Sequence, residues 1–234
     1  MDRPLFIAGQ RREKQPDGWG TPMPLLHRSI TEIKEQEFVA TLVSNPRHRD
    51  MLFNLKGLDG DTSRILQSVE LREFRPELQG DVDILLAPHG APERSTAIQV
   101  KRLHVKVGLD EADAGHKQRM SQLVAKGVRQ ANLNAIVGFS QVYLWVFVLI
   151  DTRAQNDGRL TYDGPDSGLR SRIEQALTNH ERLDRRVGYI NFDWVQPMDS
   201  PPLQIGTSGL HLRNLATPVA QPAELTEWIS TLRD

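Results

Sequence analysis

The spacing of apolar and polar positions changes period several times along the chain, and each change predicts a new element. Ser29 and Glu32 form an S-x-x-E capping box ahead of an imperfect apolar stripe, which predicts a helix that ends at Asn45-Pro46. Beyond Leu66 the apolar positions alternate, as expected for half-buried strands. This alternation predicts strands over residues 68–74, 80–87 and 97–103, the last two joined by a turn into an antiparallel hairpin.

The second half of the chain continues with helical and strand patterns in turn. A helical period over 116–133 is followed by nine consecutive apolar residues, Val142 to Ile150, which indicate a strand at the centre of the sheet, buried on both faces. Later patterns predict a helix over 169–183, a strand over 188–195, a Pro- and Gly-rich stretch over 197–221 and a helix over 222–232. We therefore expect a mixed α/β fold made of an irregular arm (1–28), a core (29–151) and a C-terminal αβα extension (152–234) packed on that core.

Composition narrows the chemistry that this fold could carry. The 234 residues include no cysteine, which excludes disulfides, thiolate zinc sites and cysteine nucleophiles. With 29 basic and 30 acidic residues the net charge is −1, so a polyanion would have to bind a local basic patch. The apolar run of nine residues is about half of what a membrane span needs, and the first residues do not follow a signal-peptide pattern. We expect a cytoplasmic protein with no membrane partner.

The predicted hairpin carries the most informative polar residues. Alternate residues of a strand share a face. If the apolar residues at 82, 84, 98 and 100 face the core, then Asp83, Gln99 and Lys101 converge on the opposite face. A carboxylate, an amide carbonyl and an ammonium group suit metal-assisted hydrolysis of a phosphodiester, because Mg²⁺ prefers oxygen ligands and a cation offsets charge that develops on the phosphate.

These two strands resemble the PD-(D/E)xK nuclease superfamily, in the segments Gly80-Asp81-Val82-Asp83 and Ile98-Gln99-Val100-Lys101-Arg102. The Gln-x-Lys variant is similar to Mrr-type restriction endonucleases. The resemblance covers about residues 30–151 and implies a restriction-endonuclease-like fold, a mixed sheet with an αβββαβ core flanked by helices. It implies that Asp83 is the metal-binding aspartate, Gln99 the second position of the site and Lys101 the catalytic lysine. The oxygens of Asp83 and Gln99, with the backbone carbonyl of Val100, would bind Mg²⁺ or Mn²⁺.

The resemblance also implies an acid on the first helix. Glu37 is the candidate, with Glu35 or Glu70 as substitutes. Because the amide of Gln99 binds a cation less strongly than a carboxylate, the metal site needs a further acid, and Glu37, Glu35, Glu70 or Asp81 would supply it.

A basic segment follows the candidate catalytic lysine. Residues 98–130 contain seven basic and three acidic residues, an excess of four positive charges in a chain that is neutral overall. We expect DNA phosphates to contact this segment. The candidate DNA-binding residues are Arg102, Lys106, Lys117, Arg119, Lys126 and Arg129, together with Gln130, which the resemblance places on the helix after the lysine.

The sequence therefore predicts a metal-dependent DNA endonuclease, with formation of a homodimer left open. One alternative is a non-catalytic protein that kept the fold and lost the metal. Another is a nucleotidyltransferase that uses Asp81 and Asp83 as a D-x-D pair, although no Gly-Ser turn precedes that strand. In a third interpretation the two aspartates are ordinary surface acids, and Lys101 is paired across the hairpin.

Overall fold

A computed structural model of the protein describes residues 29–54, 63–106, 113–151, 167–178, 182–196 and 208–233. The predicted arm over 1–28 lies outside these residues. The helices are α1 (Glu35–Ser44), α2 (Pro46–Arg49), α3 (Ala114–Val137), α4 (Ser167–Thr178) and α5 (Ala223–Thr231). The strands are β1 (Ser63–Glu70), β2 (Asp81–Pro88), β3 (Thr96–Lys106), β4 (Gln141–Asp151), β5 (Gly188–Gln196) and β6 (Ser208–Asn214).

These six strands form one mixed sheet whose spatial order is the order of the chain. β1, β2 and β3 are antiparallel neighbours, so the predicted hairpin is confirmed. β4 and β5 run parallel to β3, and β6 is antiparallel to β5. The strands of the C-terminal segment therefore extend the same sheet. β6 falls within the Pro- and Gly-rich stretch over 197–221, where the predicted αβα extension has no strand, and its pairing with β5 corrects that part of the prediction.

The sheet is covered on both faces by apolar side chains. One cluster joins α3, α4 and α5 to sheet residues such as Leu103 and Leu144. The other joins α1, Leu52 and Phe53 to sheet residues such as Val100 and Trp145. β4 contributes to both clusters, and all of its residues after Gln141 are buried. The prediction that this strand lies at the centre of the sheet is confirmed.

The start of the first helix differs from the prediction. Ser29 accepts a hydrogen bond from the Thr31 amide at the start of a short 3₁₀ turn, and α1 begins only at Glu35. The reason is that this turn is fixed to the sheet. The Ser29 hydroxyl donates to the buried carboxylate of Asp151, and the Ile30 amide donates to Gln196 Oε1 at 2.7 Å.

The start of β1 also differs, since β1 runs from Ser63 and ends at Glu70 rather than spanning 68–74. A 3₁₀ turn, Leu71–Glu73, takes the place of its predicted second half.

This architecture is consistent with a restriction-endonuclease-like α/β fold, since a mixed sheet with the predicted αβββαβ order is flanked by helices. In the part of the chain that the structure describes, no helix combines the length and the apolar character needed to cross a membrane.

The close approach of α3 to β3 depends on Gly127. A Cβ atom at this position would lie 2.5 Å from Lys101 Cγ and 3.0 Å from Leu144 Cδ1. Gly to Ala in a helix normally stabilises by about 1 kcal/mol, but overlap with packed side chains costs about 1–3 kcal/mol. We predict that Gly127→Ala lowers the free energy of unfolding in urea. Gly115→Ala, where the added Cβ meets a flexible aspartate at 3.2 Å, is the control. A Gly127→Ala protein more stable than the parent would contradict this packing.

Candidate active site

β2 and β3 separate at the point where the predicted site residues lie. Their pairing covers three residue pairs, from Leu86–Thr96 to Ile84–Ile98, whereas β3 pairs with β4 along its whole length. The side chain of Asp83 enters the gap, and its Oδ2 accepts a hydrogen bond from the Val100 amide at 2.7 Å. The Val100 amide has no partner in β2, and the carboxylate supplies the acceptor that a buried backbone donor requires.

Gln99 is completely buried in the same gap. Its Nε2 donates a hydrogen bond to Asp83 Oδ2. Its Oε1 is also buried, and it has no hydrogen-bond partner. A buried acceptor without a partner is costly and usually marks the position of a ligand or water. The amide nitrogen of Gln99 therefore donates to Asp83, and its amide oxygen is available to a ligand.

Lys101 completes the group, and its side chain is held from several directions. The residue is 3% exposed, and its aliphatic part packs beneath Gly127 of α3. Its Nζ donates to the Val100 carbonyl at 2.7 Å and to Glu35 Oε1 at 3.1 Å, and lies 3.7 Å from Asp83 Oδ2. The predicted convergence of Asp83, Gln99 and Lys101 is therefore present in the structure.

The apolar residues around the site depart from the prediction at one position. Ile84, Ile98 and Val100 share the cluster on the α1 side, as expected. Val82 instead belongs to the cluster on the α3 side. The strand is distorted here. Pairing of β1 with β2 passes from Gln67–Ile84 to Val69–Val82, and Ser68, the residue in between, has a φ of 52°.

Burial sets the charge state of Asp83. Loss of water around the carboxyl raises its pKa from 3.8 to about 6. The ammonium of Lys101 and the amide of Val100 lower that pKa, while the charges of Glu35 and Asp81 raise it further. A buried carboxylate with a raised pKa is a strong attractor for a cation, because a cation compensates the lost hydration.

The acid on the first helix that contacts Lys101 is Glu35, which was the predicted substitute. Glu37 is exposed. Burial lowers the pKa of Arg102, and the charges of Glu35 and Glu37 offset only part of that shift. Glu70 forms an ion pair with Arg72 at the end of β1. Asp81 accepts a hydrogen bond from Gln130 Nε2 at 3.2 Å, which joins α3 to β2.

A divalent cation would have to use mixed oxygen ligands at this site. Within the described ranges, no group of three or more His, Asp or Glu side chains is arranged to hold a metal ion. The Asp83 carboxylate, the unpartnered Gln99 Oε1 and the Val100 carbonyl are oxygens of the types that Mg²⁺ and Mn²⁺ accept. The donor set therefore fits such an ion, and a rotation of the Gln99 amide would turn Oε1 towards Asp83.

The candidate DNA-binding residues fall into separate groups. Arg119, Lys126 and Arg129 are exposed and recur along one side of α3, next to Gln130; we call them the α3 basic strip. Lys117 lies on another side of α3, four residues before Ser121, whose hydroxyl reaches α4. Arg102 is half-buried and donates to the Thr31 carbonyl at 3.1 Å, and the side chain of Lys106 lies outside the described residues.

A groove with a volume of about 590 Å³ adjoins the site. We call it the β1–β2 groove; it is lined by polar residues of α1, β1, β2 and their connection, among them Gln36, Ser68, Glu70, Arg72, Gln79 and Asp81. Gln36 follows Glu35, and Asp81 is separated from Asp83 by one residue. The sequence pattern gave no sign of this groove, because it depends on how the 3₁₀ turn after β1 folds back beside the sheet.

The raised pKa of Asp83 predicts a pH-dependent stability. The carboxyl of Asp83 ionises near pH 3.8 in the unfolded chain and near pH 6 in the folded one, so its ionisation destabilises the folded state. This destabilisation is absent below pH 3.8 and complete above pH 6. Two pKa units correspond to about 3 kcal/mol. We predict that Asp83→Asn raises the free energy of unfolding by about 1–3 kcal/mol at pH 7.5, and that this gain shrinks towards pH 4.

Urea unfolding at several pH values measures this difference. Asp50→Asn, at an exposed position, is the control and should change stability little at any pH. A lower free energy of unfolding in Asp83→Asn at pH 7.5 would contradict the prediction. It would mean that the interactions of the ionised carboxylate stabilise the fold by more than its burial destabilises it.

Comparison with known proteins yields little. No protein-family model matches the chain, and no curated protein matches it. Among solved structures, it is similar to the structure of SfsA from Pyrococcus furiosus in complex with Ca²⁺, at 10% identity and a TM-score of 0.23. The match covers 73% of this chain and 62% of that one, so the chain spans less than two thirds of the length of SfsA. A likeness of this size decides neither family nor activity, and the function has to be argued from the site.

Proposed function

We propose that this protein is a metal-dependent deoxyribonuclease of the PD-(D/E)xK type, which hydrolyses phosphodiester bonds in DNA. The observation that carries the proposal is the meeting of Asp83, Gln99 and Lys101 in the gap between β2 and β3. A buried acid, an unpartnered amide oxygen and a buried ammonium group within one gap each cost more to bury than an apolar side chain, which favours a functional role for the group.

The oxygens of Asp83, Gln99 and Val100 would hold Mg²⁺ or Mn²⁺. When bound, such an ion polarises a phosphate oxygen and lowers the pKa of water. The carboxylate of Asp83 supplies the negative charge of the site, and its burial strengthens the attraction between the carboxylate and the ion. The amide of Gln99 supplies a neutral ligand, so the site carries less charge than one with two carboxylates.

Lys101 would act on the reacting phosphate. Its ammonium group is fixed by Glu35 and the Val100 carbonyl, so it is ordered before any substrate arrives. In that position it can offset the negative charge that develops on the phosphate oxygens and orient the attacking water. Glu35 is a positioning residue, since it acts through Lys101.

DNA is the proposed substrate because of the α3 basic strip. Arg119, Lys126 and Arg129 lie on the helix that covers Lys101, so phosphates bound there run beside the site. Arg119 also lies 3.5 Å from Asp113 at the exposed start of the helix. An exposed pair of this kind is weak, so a phosphate can replace the aspartate at small cost.

The proposal predicts loss of cleavage when Lys101 loses its charge. Lys101→Met keeps the aliphatic packing under Gly127 and removes the ammonium group, and we expect a fall in the rate of DNA cleavage of at least about 100-fold in Mg²⁺ or Mn²⁺. Asp83→Asn should have a similar effect through loss of the ion. Cleavage of a labelled oligonucleotide, with and without a chelator, measures both.

Arg182→Ala, an exposed substitution away from the site, is the matched surface control and should cleave like the parent protein. Urea unfolding shows whether each variant keeps its fold. Cleavage that survives in both Lys101→Met and Asp83→Asn would overturn the proposal.

The non-catalytic alternative is favoured by the hydrogen bond that already links Gln99 to Asp83. It would be supported if calorimetry showed DNA binding without any response to divalent ions.

A further inference from the structure

We propose that the β1–β2 groove binds an unpaired nucleobase of the DNA strand that is cleaved. The preferred substrate would then be single-stranded DNA or a duplex with an unpaired nucleotide near the scissile phosphate. This inference rests on the proposed nuclease function, because it takes the position of the phosphate from the site around Asp83.

The groove has the right place and size for one nucleotide. Its volume of about 590 Å³ lies within the range of roughly 300–1,000 Å³ that is typical of small-ligand sites. Asp81 and Gln36 belong to its lining, and they are near neighbours in sequence of Asp83 and Glu35 respectively. A strand whose phosphate lies at Lys101 can therefore place an adjacent base in the groove.

The lining offers what recognition of a base requires. Gln36 and Gln79 carry exposed amides, each with a donor and an acceptor for the edge of a base. Pro76 and Leu78 supply an apolar wall for its face. The guanidinium of Arg72 is planar and can stack on a base, and its exposed ion pair with Glu70 leaves it able to turn towards one.

The charge of the groove favours a base over a phosphate. Arg72 is paired with Glu70, and Asp81 adds a further carboxylate, so the charged side chains of the lining carry a net negative charge. A phosphate would be repelled there and would bind instead to the α3 basic strip. A neutral base meets no such repulsion.

The backbone of the groove is held in an unusual conformation. Ser68 lines the groove within β1 and has a φ of 52°, in the left-handed region that non-glycine residues avoid. Gly80, at the start of β2, has a φ of 147°. Strained residues tend to persist at binding sites, because the surrounding structure keeps a shape that an unstrained strand would lose. Here Ser68 lies opposite Asp83, between the strand pairs Gln67–Ile84 and Val69–Val82.

The groove fits an unpaired base and not a paired one. In a duplex the Watson–Crick edge is occupied and both faces of the base are stacked, so only an extruded or single-stranded base could enter. Extrusion costs free energy, and that cost is lowest where pairing is already absent. The groove therefore predicts a preference among DNA structures rather than among sequences.

Binding of DNA to the 234-residue chain with Lys101→Met tests this inference without cleavage. The probes are labelled oligonucleotides of one sequence: a single strand, a perfect duplex and a duplex with one unpaired base. We expect the single strand and the unpaired duplex to bind about 10-fold more tightly than the perfect duplex in fluorescence anisotropy. Adding Gln36→Ala and Gln79→Ala together should remove most of this preference. Adding Gln175→Ala, an exposed glutamine on α4, should preserve it.

Several results would overturn the inference: equal binding of the three DNA probes, a preference that survives the double glutamine substitution, or tighter binding of single-stranded RNA of the same sequence. Cleavage by the protein with native Lys101 separates the two proposals. If a perfect duplex is cut as fast as an unpaired one, with or without the groove substitutions, the nuclease stands and the groove inference fails. If no DNA is cut while the binding preference appears and depends on Gln36 and Gln79, the groove inference stands as DNA binding and the nuclease fails.

Discussion

The carboxylate of Asp83 takes the place of a strand where β2 and β3 separate. Beyond the pair Ile84–Ile98 the Val100 amide has no partner in β2, and Asp83 accepts its hydrogen bond while also binding Gln99. The sheet can open at this point only because a side chain satisfies the exposed backbone. Lys101 lies in the same gap, with its Nζ 3.7 Å from Asp83. The arrangement of the candidate site therefore depends on this one buried acid.

The amide at position 99 makes the gap stable without a bound ion. A carboxylate there would place a second negative charge beside Asp83 and would raise the cost of burial. Gln99 instead donates a hydrogen bond to Asp83, and Lys101 offsets part of the remaining charge. The consequence is a weaker attraction for a cation than a pair of acids would give. The burial that raises the pKa of Asp83 works in the opposite direction and strengthens that attraction.

The sequence was informative where one physical rule dominates. Alternation along two strands was enough to predict that Asp83, Gln99 and Lys101 meet, and the run of apolar residues was enough to place β4 at the centre. The choice of Glu35 over Glu37 depended on where α1 starts, and contacts of Ser29 and Ile30 with distant residues of β4 and β5 decide that start. The left-handed Ser68 and the groove follow from tertiary packing, which no local pattern encodes.

Diffraction from crystals grown with Mn²⁺ would show whether Asp83, Gln99 and Val100 bind a metal ion, because the anomalous signal of manganese locates the ion independently of the protein atoms. We predict one strong peak within about 2.5 Å of an Asp83 carboxylate oxygen, Gln99 Oε1 and the Val100 carbonyl, with the Gln99 amide rotated relative to the hydrogen bond that it makes here. A manganese ion bound only at Glu70 and Asp81, or no peak near Asp83 at a saturating concentration, would contradict it.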